Sequence, residues 1–222
     1  LNPKRPDCSY PDKGLAGVGV ALKLVQALIA DTGRAAALLP HFVKVAAIGT
    51  LADVVPLVGE NRVIAKLGLA GLSKGPNSVG LQALLDASGV GNRRLDSYHV
   101  AFQIAPRVNA AGRMSSPDIA ARLLLAFDPA MAPHARELAE QLNAENLRRR
   151  QEEADTVALA RTAIETDPDI GAHNLLVVGG AGWHRGVIGI VASKLVESYG
   201  KPAVVLSIDG DLAHGSCRSI PG

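Results

Sequence analysis

Hydrophobic residues recur at helical spacing through most of the chain. Leu15, Val18, Leu22, Val25 and Ile29 lie three or four residues apart, which predicts a helix over residues 15–30 with one buried face. Comparable patterns, with Gly and Pro between them, predict further helices over residues 40–55, 61–73, 79–88, 96–105, 116–126 and 129–166. No strong strand pattern precedes residue 170, so this part is expected to be helix-rich, with any sheet on which it packs lying upstream.

The pattern changes after Asp167 and Pro168. Short apolar runs predict strands over residues 174–178, 203–208 and 212–219, and a helix is predicted over residues 186–199. A strand, helix and strand in this order predict a right-handed crossover and a parallel pair. The chain is therefore predicted to be an α/β protein in three parts, with limits at residues 1–128, 129–166 and 167–222. The middle helix would be about 50 Å long, which suits a connector between two domains.

Composition narrows the class without naming a function. The 222 residues are 48% hydrophobic and 20% charged, as in ordinary soluble globular proteins, and the formal charge of +2 does not by itself indicate nucleic acid. Only 3% of the residues are aromatic, which weakens a prediction of base stacking. Cys8 and Cys217 are isolated and indicate reduced thiols in an intracellular protein. The chain starts at Leu1 without an apolar leader, and no uninterrupted run of about 18 apolar residues is present. We therefore expect a cytoplasmic piece of a longer protein, with no membrane partner.

One acid stands out in the stretch IGTLADVVPL, residues 48–57. Asp53 is surrounded by small and aliphatic residues that offer no counter-ion, and Pro56 should end the preceding helix at about residue 55. A carboxylate in such surroundings is costly unless a cation meets it. The alternative is an ordinary Asp at a helix C-terminus that reaches water, and the residues by themselves favour neither.

A second candidate site lies in the stretch APRVNAAGRM, residues 105–114. Arg107 and Arg113 carry planar guanidinium groups that match phosphate oxygens, Asn109 adds a polar group, and the small residues between them allow a close backbone approach. The alternative is that these arginines cap or pair at a helix start, and without further information the residues favour this alternative.

A third candidate site combines the stretch GSCRSIPG, residues 215–222, with His184. On a strand, Ser216 and Arg218 would share one face, and a hydroxyl beside a guanidinium suits a terminal phosphate, with Ser219 adjoining. The alternative is a surface strand with a salt bridge. His184 precedes a predicted helix start, where backbone N–H groups bind anions. It either helps to hold a phosphate or caps the helix.

Other candidate motifs have simpler explanations. Gly14, Gly17 and Gly19 do not complete a dinucleotide-binding pattern, because Leu22 stands where the third glycine belongs, so close helix packing is favoured. The basic run at residues 148–150 has acids at helical spacing, which favours a solvated helix face. The sequence contains no Asp-His-His motif and no pair of histidines at helical spacing.

Five stretches in this order resemble the DHH phosphoesterases, and specifically the RecJ-type single-strand exonucleases: residues 9–21, 48–57, 105–114, 182–195 and 215–222. The resemblance implies that residues 1–128 are the C-terminal part of a DHH domain. It also implies that residues 167–222 begin the DHH-associated domain and that residues 129–166 set the width of the cleft between the two domains. Cys217 departs from the family pattern, which has a glycine at that position.

The resemblance also implies roles for the candidate residues. Asp53 would be one ligand of a two-metal site for Mn²⁺ or Mg²⁺, whose other ligands precede Leu1. The groups that would bind nucleic acid or phosphate are those of Arg107, Asn109, Arg113, His184, Ser216, Arg218 and Ser219.

The function that the resemblance implies is 5′-to-3′ hydrolysis of single-stranded DNA in repair and recombination. A repair helicase or a single-strand binding protein is the expected partner. The alternatives are a DHH phosphodiesterase acting on short oligonucleotides or cyclic dinucleotides, and a non-catalytic DHH-like replication scaffold. The stretches containing Arg113 and Arg218 favour the exonuclease.

Overall fold

The computed structural model describes residues 1–76, 78–91 and 93–221, and these residues divide into two compact units. The first unit comprises Leu1–Asn109 and Pro117–Asn143, and the second comprises Ala110–Ser116 and the chain from Ala144 onward. Gly222, the last residue of the fifth matched stretch, lies outside the described residues. The boundary falls inside the long helix, and the three predicted domain limits stay a prediction.

The first unit contains helices joined by loops, and none of its described residues forms a strand. Its hydrophobic cluster contains Leu15, Leu22 and Ile64, which occupy the spaced apolar positions that predicted the helices. Its helices are α1 (Gly17–Ile29), α2 (Ala35–Ala52), α3 (Gly59–Lys74), α4 (Val79–Ala87), the start of α5 (Ala105–Met114), α6 (Asp118–Leu124) and the first part of α7 (Ala132–Thr166).

The second unit contains a three-stranded mixed sheet. Its elements are the remainder of α7, α8 (Pro168–Ala172), β1 (Leu176–Ala181), α9 (Ile188–Tyr199), β2 (Ala203–Asp209) and β3 (Leu212–Arg218). β1 pairs with β2 in parallel, and β2 pairs with β3 antiparallel. The predicted strand order and the parallel pair are confirmed, and the α/β class is confirmed with them. Leu176, Val178, Val191, Leu195 and Val205 are at most 2% exposed and form the core between the sheet and α9.

Helix α2 differs from its prediction at both ends. It was predicted over residues 40–55, because a proline favours a helix start. It begins five residues earlier, at Ala35, and encloses Pro40. Pro40 is the sixth helical residue, so only the bond to the carbonyl one turn earlier is lost. The helix ends at Ala52, which leaves Asp53 as its C-terminal cap.

Two other predictions around prolines were wrong. A π-helical turn, His99–Ile104, runs directly into α5, so Pro106 lies inside a continuous helical segment and does not separate two elements. Pro168 starts the short helix α8, in which the Asp167 side chain accepts a hydrogen bond from the Asp169 N–H. Strand β1 accordingly begins at Leu176, two residues later than predicted.

Among the described residues, one helix is long and apolar enough to cross a membrane by length and composition. It is α2, whose 18 residues have a mean hydropathy of 1.6. Lys44 interrupts its apolar run, which is why the sequence shows no uninterrupted stretch. Core helices reach the same length and hydropathy, and Ala46, Ala47, Ile48 and Leu51 of α2 are buried.

Substituting Gly80 with Ala is expected to destabilise the chain by about 1–3 kcal/mol through overpacking. A Cβ at Gly80 would lie 1.7 Å from the carbonyl oxygen of Leu123, where α4 meets α6. Gly17→Ala is the matched control, because a Cβ there meets nothing within 4 Å. The midpoints of thermal and denaturant unfolding of both variants provide the measurement. Equal midpoints for the two variants would contradict the close approach of α4 and α6.

Candidate active site

Asp53 closes α2 at its C-terminal end. Its backbone N–H donates to the carbonyl of Gly49 at 3.0 Å, and its side chain is exposed. No hydrogen bond or ion pair to its carboxylate is present within the described ranges. The negative pole of a helix C-terminus disfavours a carboxylate, so Asp53 destabilises the folded state. The same negative charge is suitable for binding a cation supplied from outside.

Val54 adds backbone strain beside this carboxylate. Its φ is +54°, the single positive value for a non-glycine residue in the described part of the chain, and it is 85% exposed. A β-branched side chain disfavours this conformation, at a cost of about 1–3 kcal/mol. Strain of this kind concentrates at functional sites.

Asp53 lines a cavity of about 300 Å³ that also brings in another matched stretch. Gly14, Leu15, Ala16 and Gly17 contribute to the same cavity, together with Val55 and the chain's first residues. Residues 9–21 and 48–57, which are far apart in sequence, therefore meet at one place in the first unit.

Asn61 connects these two stretches, and the sequence analysis missed it. It is 1% exposed. Its Oδ1 accepts from the Ala16 N–H at 3.0 Å, and its Nδ2 donates to the carbonyls of Gly14 at 2.8 Å and Pro56 at 3.2 Å. A buried amide with these bonds satisfied fixes the backbone of Gly14 and Ala16 relative to that of Pro56, three residues after Asp53. The available signal was a polar residue on the apolar face of α3.

Arg107 and Asn109 lie on α5 in the first unit. Arg107 Nε donates to Asn143 Oδ1 at 3.0 Å, and its terminal nitrogen donates to the Gln103 carbonyl at 2.5 Å. The half-buried guanidinium therefore has a structural role, joining α5 to Asn143 in the first part of α7. Asn109 is exposed.

Arg113 and His184 converge on Gly186 in the second unit. Arg113 donates to the Gly186 carbonyl at 3.4 Å, and His184 Nδ1 accepts from the Gly186 N–H at 3.0 Å. A Cβ at Gly186 would lie 2.0 Å from the carbonyl oxygen of Arg113, so this close approach requires glycine. His184 thus caps the turn through Nδ1, which leaves Nε2 as the nitrogen that bears the proton in neutral imidazole.

Ser216 and Arg218 share one face of β3, which lies against the first turn of α9. Arg218 donates to Ser216 Oγ at 3.2 Å and to the Cys217 carbonyl at 2.7 Å. A Cβ at Gly189 would lie 3.1 Å from both the Arg218 guanidinium and Ser216 Oγ. The hydroxyl and the exposed guanidinium beside the helix start form a site suited to an anion. Ser219 follows the strand and donates to the Ile220 carbonyl at 3.0 Å.

Comparison with known proteins gives a consistent result. No family model matches the chain. It is 43% identical to the single-stranded-DNA-specific exonuclease RecJ of Bacillus subtilis, covering 100% of this chain and 27% of that protein. It is 35% identical to RecJ of Escherichia coli, covering 100% of this chain and 40% of that protein. The crystal structure of Thermus thermophilus RecJ in complex with Mn²⁺ aligns with a TM-score of 0.77 at 34% identity, over 99% of this chain and 31% of that one. The chain therefore matches a segment of RecJ proteins over its whole length. It spans between about a quarter and two-fifths of the length of these curated relatives.

Cys217 stands where the resembled family pattern has a glycine, and the structure accommodates it. Cys217 lies opposite Val204 in the antiparallel ladder, and no positive φ occurs there. Its side chain is exposed. Because the backbone is ordinary extended strand, this position does not require glycine. Gly189, which the sequence analysis did not single out, is the glycine on which the contact with Ser216 and Arg218 depends.

The described residues do not bring together enough ligands for a metal ion. They contain no group of three or more His, Cys, Asp or Glu side chains that could hold a metal ion. Asp53 can supply one ligand, because Mn²⁺ and Mg²⁺ prefer carboxylate oxygens. A two-metal site would need further carboxylates from outside this segment.

Proposed function

We propose that this chain is a segment of a metal-dependent exonuclease that hydrolyses single-stranded DNA in the 5′-to-3′ direction, in DNA repair and recombination. The observation that carries the proposal is the unpaired Asp53 carboxylate beside the strained Val54, in a chain matched to RecJ proteins over its whole length. Two of the matched structures are described as RecJ in complex with Mn²⁺ or Mg²⁺.

Asp53 would hold one divalent ion of a two-metal site. When bound, such ions lower the pKa of water and stabilise the charge on the leaving oxygen. Asp53 itself supplies a carboxylate that no described side chain neutralises. Asn61 fixes the backbone at Pro56, three residues after Asp53, which would help to hold the carboxylate in place as a metal ligand.

The second unit would hold the strand end. Arg113, Ser216 and Arg218 supply charge-assisted hydrogen bonds to phosphate, and the start of α9 supplies N–H groups. The Ser216 hydroxyl lies where the Arg218 guanidinium also points, so one phosphate can accept from both.

We further propose that a repair helicase or a single-strand binding protein acts with this enzyme, in the cytoplasm and without a membrane partner. Two free cysteines, Cys8 and Cys217, support a reducing compartment.

The function is tested with two polypeptides: this 222-residue chain, and the full-length protein that carries it. With Mn²⁺, the full-length protein should release mononucleotides from 5′-labelled single strands and spare duplex DNA. The chain by itself should release none, because one carboxylate cannot assemble a two-metal site. Release by the chain that disappears in Asp53→Ala would overturn the expectation that the other metal ligands lie outside this chain. Absence of activity in the full-length protein would overturn the proposed function.

A further inference from the structure

A wide groove in the first unit carries a concentration of positive charge. It has a volume of about 1140 Å³ and lies where the end of α3 meets the segment that follows α4. Its charged lining consists of Lys66, Lys74, Arg93, Arg94 and Asp96, and we call it the basic groove. Four cations and one carboxylate give +3, more than the +2 of the entire chain. It shares no lining residue with the Asp53 cavity.

The four cations are available to a ligand. Each is exposed, and none takes part in an ion pair within the part of the chain that the structure describes. The carboxylate is already engaged, since Asp96 Oδ1 accepts from the His99 N–H at 3.0 Å and lies 2.6 Å from His99 Nδ1. The backbone hydrogen bond from His99 lowers the pKa of Asp96, so this acid remains charged without needing a groove lysine.

Two partly buried contacts fix the shape of the basic groove. The Leu95 N–H donates to Ser73 Oγ at 2.9 Å and joins its two walls. The buried Lys44 donates through Nζ to the Gly75 carbonyl at 2.8 Å, which fixes the turn after α3. Gly75 has φ +127°, a conformation that side chains disfavour. A groove held by such contacts is pre-organised, and a ligand would bind without first ordering it.

Two exposed aromatic rings follow the groove directly in the chain. Tyr98 and Phe102 are 60% and 67% exposed, with ring centroids 4.9 Å apart. Both lie in the helical segment that starts after Asp96, and Phe102 belongs to its π-helical turn. Exposed ring faces beside a cationic groove are the arrangement used to bind single strands, because bases stack on the rings while phosphates meet the cations.

We propose that the basic groove, together with Tyr98 and Phe102, is a second binding site for single-stranded nucleic acid, which holds the body of the strand away from the strand end. This site rests on the proposed exonuclease function for its substrate class. An acidic peptide would also match the charge, but it would leave the two rings without a partner, so the observations favour nucleic acid.

The test uses the full-length protein with divalent metal chelated, and fluorescence anisotropy with DNA strands of 6 and 30 nucleotides at several salt concentrations. The groove variant is Lys66→Gln, Lys74→Gln, Arg93→Gln and Arg94→Gln in one protein. The matched control removes four other exposed cations: Arg34→Gln, Arg62→Gln, Arg136→Gln and Arg150→Gln. A third variant, Tyr98→Ala with Phe102→Ala, tests stacking through the fluorescence of strands that contain 2-aminopurine. Circular dichroism confirms that every variant is folded.

The groove variant should bind the 30-nucleotide strand at least tenfold more weakly than the control variant. Its log–log salt dependence should be flatter by up to about 3 units, because each lost phosphate contact removes about 0.7. The 6-nucleotide strand should bind the two variants equally, and the ring variant should lose the 2-aminopurine signal change.

Equal binding of the long strand by the groove and control variants would overturn the site. The site would also be overturned if a polyglutamate peptide displaced the DNA and the ring variant kept the 2-aminopurine signal change. That result would indicate a groove for an acidic peptide. Hydrolysis of the 6-nucleotide strand with Mn²⁺ separates the two proposals. If wild type fails to hydrolyse it while the groove variant still loses affinity for the long strand, the exonuclease function fails and the groove stands.

Discussion

Asp53→Asn in the full-length protein should reduce turnover of single-stranded DNA by at least a hundredfold with Mn²⁺. The substitution keeps the shape of the side chain and removes the charge that would bind the metal. Binding of single strands should stay within about tenfold, because phosphate contacts elsewhere carry the affinity. The folded state should become more stable by about 0.3–1 kcal/mol, since a negative charge is removed from a helix C-terminus.

A loss of turnover together with a gain in stability would distinguish a metal ligand from a residue that is needed for folding. Turnover is measured with chelated, Mn²⁺-loaded and Mg²⁺-loaded enzyme, and stability from the unfolding midpoint. Asp31→Asn is the control, because Asp31 is another exposed acid of the first unit. Retention of more than a few per cent of wild-type turnover by Asp53→Asn would show that Asp53 is not a metal ligand.

The sequence was sufficient to predict the elements whose apolar spacing is regular. Residues such as Leu22 and Leu142 occupy buried positions of α1 and α7, and the predicted strand order after residue 170 was correct. Such elements are predictable because burial of one face repeats the apolar residues at a fixed spacing. The predicted helix limits were wrong at Pro40 and Pro106, where the helix continues through the proline. At those places, tertiary packing outweighs the low helix propensity of proline.

The site was only partly predictable, for a related reason. Asp53 could be identified from its unusual neighbours. Two of the three bonds of Asn61 join residues 45 and 47 positions apart, and no short sequence pattern contains them. Gly189 likewise matters only because β3 places Ser216 and Arg218 against it.

The positively charged surface was also only partly predictable from the sequence. The basic run at residues 148–150 attracted attention in the sequence, yet Arg148 lies 3.6 Å from Glu145 and Arg149 lies 2.5 Å from Glu153. These contacts favour a paired helix face. The basic groove draws its cations from two segments about twenty residues apart, which the contact between Ser73 and Leu95 brings together, so the positive surface could not be seen as a run.

Arg218→Ala in the full-length protein is expected to remove most of the preference for 5′-phosphorylated over 5′-hydroxyl strands. A terminal phosphate carries more charge and more free oxygens than an internal diester, and the guanidinium beside Ser216 Oγ can bond to them. Each hydrogen bond to a charged group contributes about 1.5–3 kcal/mol, or roughly tenfold to a hundredfold. Affinity for the 5′-hydroxyl strand should change much less.

Affinity and turnover on both strands, at two salt concentrations, distinguish recognition of the strand end from general backbone binding. Ser216→Ala and Arg113→Ala should show the same selective loss, whereas Arg150→Ala, on the exposed face of α7, should show none. An arginine that only binds the backbone would weaken both strands equally and flatten the salt dependence by about one unit. Equal losses on the two strands for all three site variants would exclude recognition of the 5′ phosphate by this face of β3. The match to RecJ proteins would be unaffected, because it extends along the whole chain.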